Sequence, residues 1–444
     1  MEVLPKGSKK LLNAWAFYDW ANSVYSLVIA SAVFPIFYGA LTLTKDENGK
    51  ILDDTVSFLG LDFNNDTLIS YVTAAAFLVV SFLSPLLSGV ADYIGNKKMF
   101  MKFFCYLGAV SCIGLFWFNM EYLWFGLLCY FLALIGFWSS LVFYNSYLPD
   151  IAFPEQQDKI SAKGYSLGYI GSVILLIVCL AMILMYDTFG FEDEGLPTRL
   201  SFVLTGLWWI GFSQYTYYYL PKGTKKEKFS NAVLFNGFKE LKKIWSKLKH
   251  DKPMRTYLTA FFVYSMAVQT IMLVATYFGI EELDWGTTDS TTGLIVSILL
   301  IQLVAVLGAW LTSKASAKFG NIQTLIVINC IWILICIYAY TITTPFEFYF
   351  TAAFVGLVMG GIQSLSRSTY SKLIPEGEKD TASYFSFYDV SEKIGIVIGM
   401  LSYGYVAQLT GSIRYAILFF IVFFIAGVIL LFFVPRKRIT ESIE

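Results

Sequence analysis

The sequence predicts an all-α membrane protein of twelve transmembrane helices, folded as two six-helix bundles. Three observations predict it. Of 444 residues, 57% are hydrophobic and 14% charged, with a mean hydropathy of +0.62, more apolar material than the core of a water-soluble domain absorbs. The apolar residues fall into blocks of about 20 or more, the length at which a helix crosses roughly 30 Å of hydrocarbon. The longest polar stretch, 221–255, divides those blocks six and six.

The first six spans are predicted near 14–40, 68–90, 99–119, 122–148, 164–186 and 200–220. The second six are predicted near 257–280, 292–313, 322–341, 346–370, 383–408 and 413–434. This gives an N-terminal bundle over 1–220, a cytoplasmic linker over 221–254 and a C-terminal bundle over 255–444. Continuous apolarity argues against an outer-membrane barrel, whose strands alternate over about ten residues. Lys6, Lys9 and Lys10 precede the first block. That block is longer than the apolar region of a secretion signal and has no early small-residue cleavage site, so it reads as a retained span.

Charge sets the orientation. Of 32 Lys and Arg, only Lys45, Lys50, Arg199 and Arg414 fall in loops after odd-numbered spans. Those loops are acidic instead, at 46–66, at Glu192, Asp193 and Glu194, and at Glu281, Glu282, Asp284 and Asp289. Basic loops face the cell interior, which puts both termini in the cytoplasm. The six cysteines all lie inside proposed spans, where they read as small apolar packing residues. One histidine, His250, in the linker, leaves no His-based metal site and no imidazole proton relay. No Gly-x-x-x-x-Gly-Lys-[Ser/Thr] phosphate loop is present, so uphill work must draw on an ion gradient.

Within the linker, Leu234, Phe238, Leu241, Trp245 and Leu248 recur at helical spacing, with Lys239, Lys242, Lys243, Lys247 and Lys249 on the remaining surface. This pattern predicts a basic amphipathic helix anchored on the inner leaflet, with lipid sensing as the alternative. The halves also echo one another. Gly95-Asn96 recurs as Gly320-Asn321, 225 residues on, and Tyr144 and Pro149 recur as Tyr370 and Pro375, 226 on. Duplicated halves suit alternating access, in which one half rocks against the other around a central site.

The strongest local pattern runs from Gly89 through Asp92 and Gly95 to Lys97 and Lys98. Gly89 permits close helix approach, Gly95 a tight turn, and Asp92 can meet a helix N-terminus or a basic group on a neighbouring helix. The pattern resembles the signature loop of the major facilitator superfamily, and the resemblance implies an inner gate. The second copy, 314–321, has Ala317 where Asp92 would align, which predicts a degenerate second gate.

A further resemblance spans nearly the whole chain. It rests on Tyr18-Asp19-Trp20-Ala21-Asn22-Ser23, Phe34-Pro35, Ser84-Pro85, Tyr144-Asn145, Leu148-Pro149-Asp150, Gly168-Tyr169-Ile170-Gly171 and Val268-Gln269-Thr270. Its most specific stretch is Gly361 to Ser368, continuing through Ile374-Pro375 to Phe385-Ser386-Phe387-Tyr388-Asp389. These segments are similar to the family, within that superfamily, of vacuolar amino-acid effluxers and their bacterial relatives. The resemblance implies a transporter fold, and amino acids as first candidates for the solute. Ser265-Met266-Ala267 depart from the polar or acidic residue and glycine that many relatives carry before Val-Gln-Thr.

Polar residues inside spans are expensive in hydrocarbon and usually face a cavity or a partner. Asp19 and Asn22, one turn apart, fit a proton site or substrate contact, and equally an N-terminal cap with interhelical hydrogen bonds. Asp389, Glu392 and Lys393 fit an intrahelical ion-pair cluster that couples transport to protons, unless span eleven begins late and places them among headgroups. Gln269 and Gln363 fit solute contacts at mid-depth, and Gln302 an interhelical hydrogen bond. Asn145 and Arg367 lie at the inner ends of spans four and ten; Asn145 is a further candidate for solute contact or coupling, and Arg367 fits an anionic group or, better, an inner-gate partner for Asp389 or Asp150.

The reading as a whole is a monomeric, non-enzymatic secondary transporter of a small organic solute in a bacterial-type inner membrane. It is expected to need the lipid bilayer, a solute and protons, with no cofactor, metal or nucleic acid. A transporter-fold sensor without transport, and a lipid-modifying membrane enzyme, are the competing readings.

Overall fold

A computed structural model of the chain describes residues 4–45, 51–223, 231–286 and 290–435. Asp46, Lys50, Asp289 and linker residues 224–230 lie outside the described residues. The helices are α1 (Lys9–Thr42), α2 (Asn65–Ile94), α3 (Lys97–Trp117), α4 (Leu123–Ile151) and α5 (Pro154–Leu184), then α6 (Gly195–Tyr219). After the linker helix (Asn231–His250) come α7 (Lys252–Glu281), α8 (Ser290–Phe319), α9 (Asn321–Thr341), α10 (Pro345–Leu373), α11 (Thr381–Thr410) and α12 (Ile413–Phe432). Among the described residues ten helices are long and apolar enough to cross a membrane. With α6 and α11 the set fits the expected twelve.

Several helices begin well before the predicted spans; α5 starts at Pro154 instead of near 164. Composition marks only the length inside hydrocarbon, whereas a helix continues into polar surroundings as long as its backbone bonds are met. Capping at that end is explicit. Gly95 ends α2 at φ 74°, and Asn96 accepts from Met99 N at 3.2 Å to start α3. Asp251 accepts from Met254 N at 3.2 Å to start α7.

α1 contains a π-helical stretch, Tyr25–Val33, directly before Phe34-Pro35. Pro35 offers no N–H and its ring crowds the carbonyl one turn back, so the ladder widens there, and Ser31 Oγ donates to Ser26 O at 2.8 Å. Between α1 and α2 lie two short hairpins, Thr44–Lys45 with Ile51–Asp53 and Thr55–Phe58 with Leu61–Asn64, which composition did not announce.

Two apolar clusters organise the chain, one around Trp15, Tyr18, Tyr25 and Trp209, the other around Tyr257, Trp332, Tyr370 and Phe424. Between them runs a seam where α5 packs on α8 and α10, and α2 on α11. The perimeter exposes large apolar side chains such as Phe82 (78%) and Leu184 (73%), as a lipid-facing surface requires.

Small residues set the tightest packing. Gly356 and Gly360 on α10 face the backbone of Ile301 and Ala305 on α8, and Gly308 faces Leu357, leaving no room for a Cβ at any of the three. Gly360→Leu should therefore cost about 1–3 kcal/mol of stability and lower the midpoint of thermal unfolding in detergent. Gly404→Ala, with nothing within 4 Å of the new methyl, should not lower it.

Candidate functional site

The seam is sealed at the end from which the linker leaves. Asp92 sits at the end of α2 and accepts from Ser383 N at 2.7 Å and Ala382 N at 3.3 Å, the unsatisfied N–H groups at the start of α11. A carboxylate at a helix N-terminus meets both the free donors and the positive end of the dipole. Lys97 pairs with Asp150 and donates to Thr381 Oγ1 at 2.5 Å. Lys98 stays within its own half, donating to Leu220 O at 2.7 Å. Gly89 makes a close approach, but to Gly237 of the linker helix.

A second polar cluster stands at the duplicated position, although Ala317 itself carries no carboxylate. Asp158, near the start of α5, accepts from Lys372 Nζ at 2.7 Å, Ser316 Oγ at 3.1 Å and Asn321 Nδ2 at 2.9 Å. Asp158 lies 225 residues before Ser383, the residue whose N–H meets Asp92, while Ala317 lies 225 after Asp92. The duplicated contact has thus kept its place and moved its carboxylate to the opposite helix. The repeat offset, applied to Ser383 as well as to Asp92, is the signal that locates it.

α10 serves as a ruler into the seam, with Lys372, Arg367 and Gln363 spaced by five and four residues, roughly 7 and 6 Å of helix. Arg367 does not pair with Asp389 or Asp150. Its Nη2 lies 3.2 Å from Asp19 Oδ2 and 3.0 Å from Ser161 O, its Nε is 3.0 Å from Ser161 Oγ, and its Nη1 is 3.2 Å from Asn145 Oδ1. Tyr144 OH completes Asp19 at 2.8 Å. Asp150 is already taken by Lys97, and Asp389 by its own helix, so the residue a full guanidinium fork can reach is Asp19. Gly164 leaves the space for this pair, since a Cβ there would lie 3.1 Å from Arg367 Nη2 and 3.2 Å from Tyr144 OH.

Asp19 stands ten residues into α1, about 15 Å along it, while the N-cap position is Ser8, so Asp19 is too far along the helix to cap it. Asn22 is buried beside it, with Oδ1 accepting from Ser23 Oγ at 3.4 Å and no partner among the described residues for Nδ2.

Past Arg367 the seam holds a small cavity of about 20 Å³, room for little more than one water. Tyr165 of α5 faces Phe261, Tyr264 and Gln269 of α7, Gln363 of α10, and Tyr388 and Glu392 of α11 across it. Gln269 Nε2 donates to Glu392 Oε1 at 2.7 Å, and Tyr169 OH to Gln363 Oε1 at 2.8 Å. Lys393 bridges Glu392 at 2.8 Å and Asp389 at 2.9 Å, with its ammonium 3.5 Å from the Trp138 ring centroid. Asp389 lies eight residues into α11 and is buried within the protein. Gln302 Oε1 is buried without a partner, in place of the expected interhelical bond.

The linker helix lies across the seam as a clasp, packed on α2 and reaching α11. Ile244 and Leu248 are buried while Phe238 and Trp245 stay exposed, because the contact of Gly237 with Gly89 and Val90 turns the bare backbone inward. Leu234 falls among residues whose side chains are not described. Lys243 reaches Asp380 at 3.2 Å and Lys247 reaches Glu378 at 2.6 Å, and the Trp245 ring lies tilted against Phe387 of α11, centroids 5.5 Å apart.

Twelve-helix architecture, a seam between duplicated halves and a central cavity define a transporter of the major facilitator fold. The family described as vacuole effluxer Atg22-like matches residues 7–443, and the chain belongs to it. A Bacillus subtilis protein described as an uncharacterised MFS-type transporter, YxiO, is 32% identical over 97% of this chain and 96% of its own length. Among solved structures, the E. coli fucose:proton symporter FucP superposes with a TM-score of 0.67 at 15% identity, covering 96% of this chain and 98% of its own. The human organic anion transporter MFSD10 superposes with a TM-score of 0.70 at 10% identity, covering 95% of this chain and 99% of its own. Family and fold are those of transporters, which sets the enzyme reading aside.

Two predictions follow from this geometry. Removing one member of a buried ion pair strands the other, at about 3–5 kcal/mol. Asp19→Asn and Arg367→Gln should each lower the unfolding midpoint by more than half of what the double variant does, and additive losses would show the pair to be uncoupled. In the clasp, partial burial works to raise the Glu378 carboxyl, but the Lys247 bond and charge hold it below its ordinary value. The Lys243 ammonium rises to about 12, first through Glu240 and then Asp380. A depressed carboxyl stabilises above its free value of about 4.3, and a raised ammonium below its free value of about 10.4. Hydrogen-exchange protection of the linker helix should hold between those limits and fall outside them.

Proposed function

We propose that the chain is a secondary active transporter that carries a small organic solute bearing an amino group, amino acids among them, by alternating access. The observation that carries the proposal is the cavity beyond Arg367, lined from both halves and closed toward the linker by bonds that nearly all cross the seam. Bundles 1–220 and 255–444 rock about it, and the linker, 221–254, follows the gate. Opening toward the linker requires Asp92 to leave α11, Asp158 to leave Lys372, and Asp19 to leave Arg367.

Gly89, Asp92, Gly95, Lys97, Lys98 and Arg367 serve this gate, with Asn145 holding Arg367. Gln269, Gln363 and Glu392 meet the solute. Asp389, Glu392 and Lys393 couple its movement to protons: two carboxylates sharing one ammonium leave one charge that a proton can neutralise. Basic residues at the linker end, Lys97, Lys98, Lys243 and Lys247, support cytoplasmic termini in a bacterial-type inner membrane. Both walls of the cavity come from one chain, which supports a working monomer. The family's description as effluxers supports export. The Asp158 contact removes what support a degenerate second gate lent to a sensor without transport.

In liposomes the purified protein should exchange labelled amino acid across the membrane, and Glu392→Gln should abolish the dependence on a proton gradient. A variant that keeps that dependence would reject Glu392 as the coupling group, and absence of any solute flux would reject transport.

A further inference from the structure

The charges around the cavity do not balance, and the imbalance has a sign. On α11, Asp389 and Glu392 share the single ammonium of Lys393. Across the seam, Asp19 and Arg367 cancel. The facing stretches of α5, α7 and α10 contribute tyrosines and amides but no further charge: Tyr165, Tyr264, Gln269 and Gln363. One negative charge is left over in a region where an uncompensated charge is costly. Asp389 Oδ2 is itself buried without a hydrogen-bond partner among the described residues.

The positive groups at hand are spent. Arg367 uses Nε, Nη1 and Nη2 on Ser161, Asn145 and Asp19, and its face lies 4.2 Å from the Tyr165 ring centroid. A solute carboxylate entering the cavity would find no free cation. A solute ammonium would find the surplus negative charge at Glu392, whose oxygens are held by Gln269 and Lys393, and an aromatic wall of Tyr165, Phe261, Tyr264 and Tyr388. Ring faces attract cations and not anions.

We infer that this cavity recognises its solute by an ammonium group held between Glu392 and the aromatic wall, so that small organic amines bind in preference to zwitterions, and zwitterions in preference to acids. The inference rests on the transport reading and narrows its solute class. At about 20 Å³ the cavity holds little more than a water in this closed arrangement, so the amine enters only as the seam begins to part. Proton and ammonium would neutralise the same surplus charge on the Asp389, Glu392 and Lys393 cluster, so the amine is bound in exchange for the proton.

The test uses three probes of one shape and different charge: phenethylamine, phenylalanine and 3-phenylpropionate. Binding to the full-length protein in detergent is read by calorimetry. Phenethylamine should bind at least about tenfold more tightly than 3-phenylpropionate, with phenylalanine between them. Glu392→Gln should erase the preference, and Phe261→Leu should weaken the amine alone. The inference is overturned if the acid or the zwitterion binds as tightly as the amine, if Glu392→Gln leaves the order intact, or if folded protein binds none of the three. Flux of some other solute through the same protein in liposomes would then leave the transport reading standing.

Discussion

A guanidinium in the interior of a membrane protein has to be surrounded by acceptors, and every acceptor that surrounds Arg367 belongs to the other half of the molecule. Asp19, Asn145 and Ser161 come from α1, α4 and α5, while Arg367 itself comes from α10. The two bundles therefore cannot part at this depth without exposing a buried charge on each side. The smaller features nearby serve the same requirement: Gly164 removes the side chain that would collide with the pair, and Tyr144 supplies the remaining bond to Asp19.

Nearer the linker the same problem is solved twice with different chemistry. On one side a carboxylate from α2 satisfies the open N–H groups of α11. On the other, where duplication would have put a second such carboxylate on α8, the acid stands on α5 and is met by a lysine, an amide and a hydroxyl. Internal symmetry preserved the location of the contact while the carboxylate changed helix, meeting backbone N–H groups on one side and an ammonium, an amide and a hydroxyl on the other. The linker helix adds a third tie through exposed ion pairs, each worth about 1 kcal/mol or less, weak enough to release when the gate moves.

The fold was legible because hydrocarbon thickness imposes a length on every span and basic loops impose a side. The candidate site was legible in part. Asp389, Glu392 and Lys393 found one another as expected, because helical spacing alone brings i, i+3 and i+4 together. Gln269 and Gln363 were recognisable as amides at mid-depth, although only the fold placed one on Glu392 and the other on Tyr169. Asp158 and Lys372 went unnoticed because each, read along the chain, resembles an ordinary charged residue near a helix end.

By itself the sequence determined the class of architecture, the duplication, the family and which polar residues lie too deep to be solvated, since all of these are written in periodicity and local pattern. Only the tertiary structure decided that Arg367 meets Asp19, that Asp158 replaces the missing gate carboxylate, and that the linker helix turns Gly237 inward. Pairing across the seam depends on which atoms of two separately folded bundles come within about 3 Å of each other, and residues more than two hundred positions apart carry no local signal of that distance.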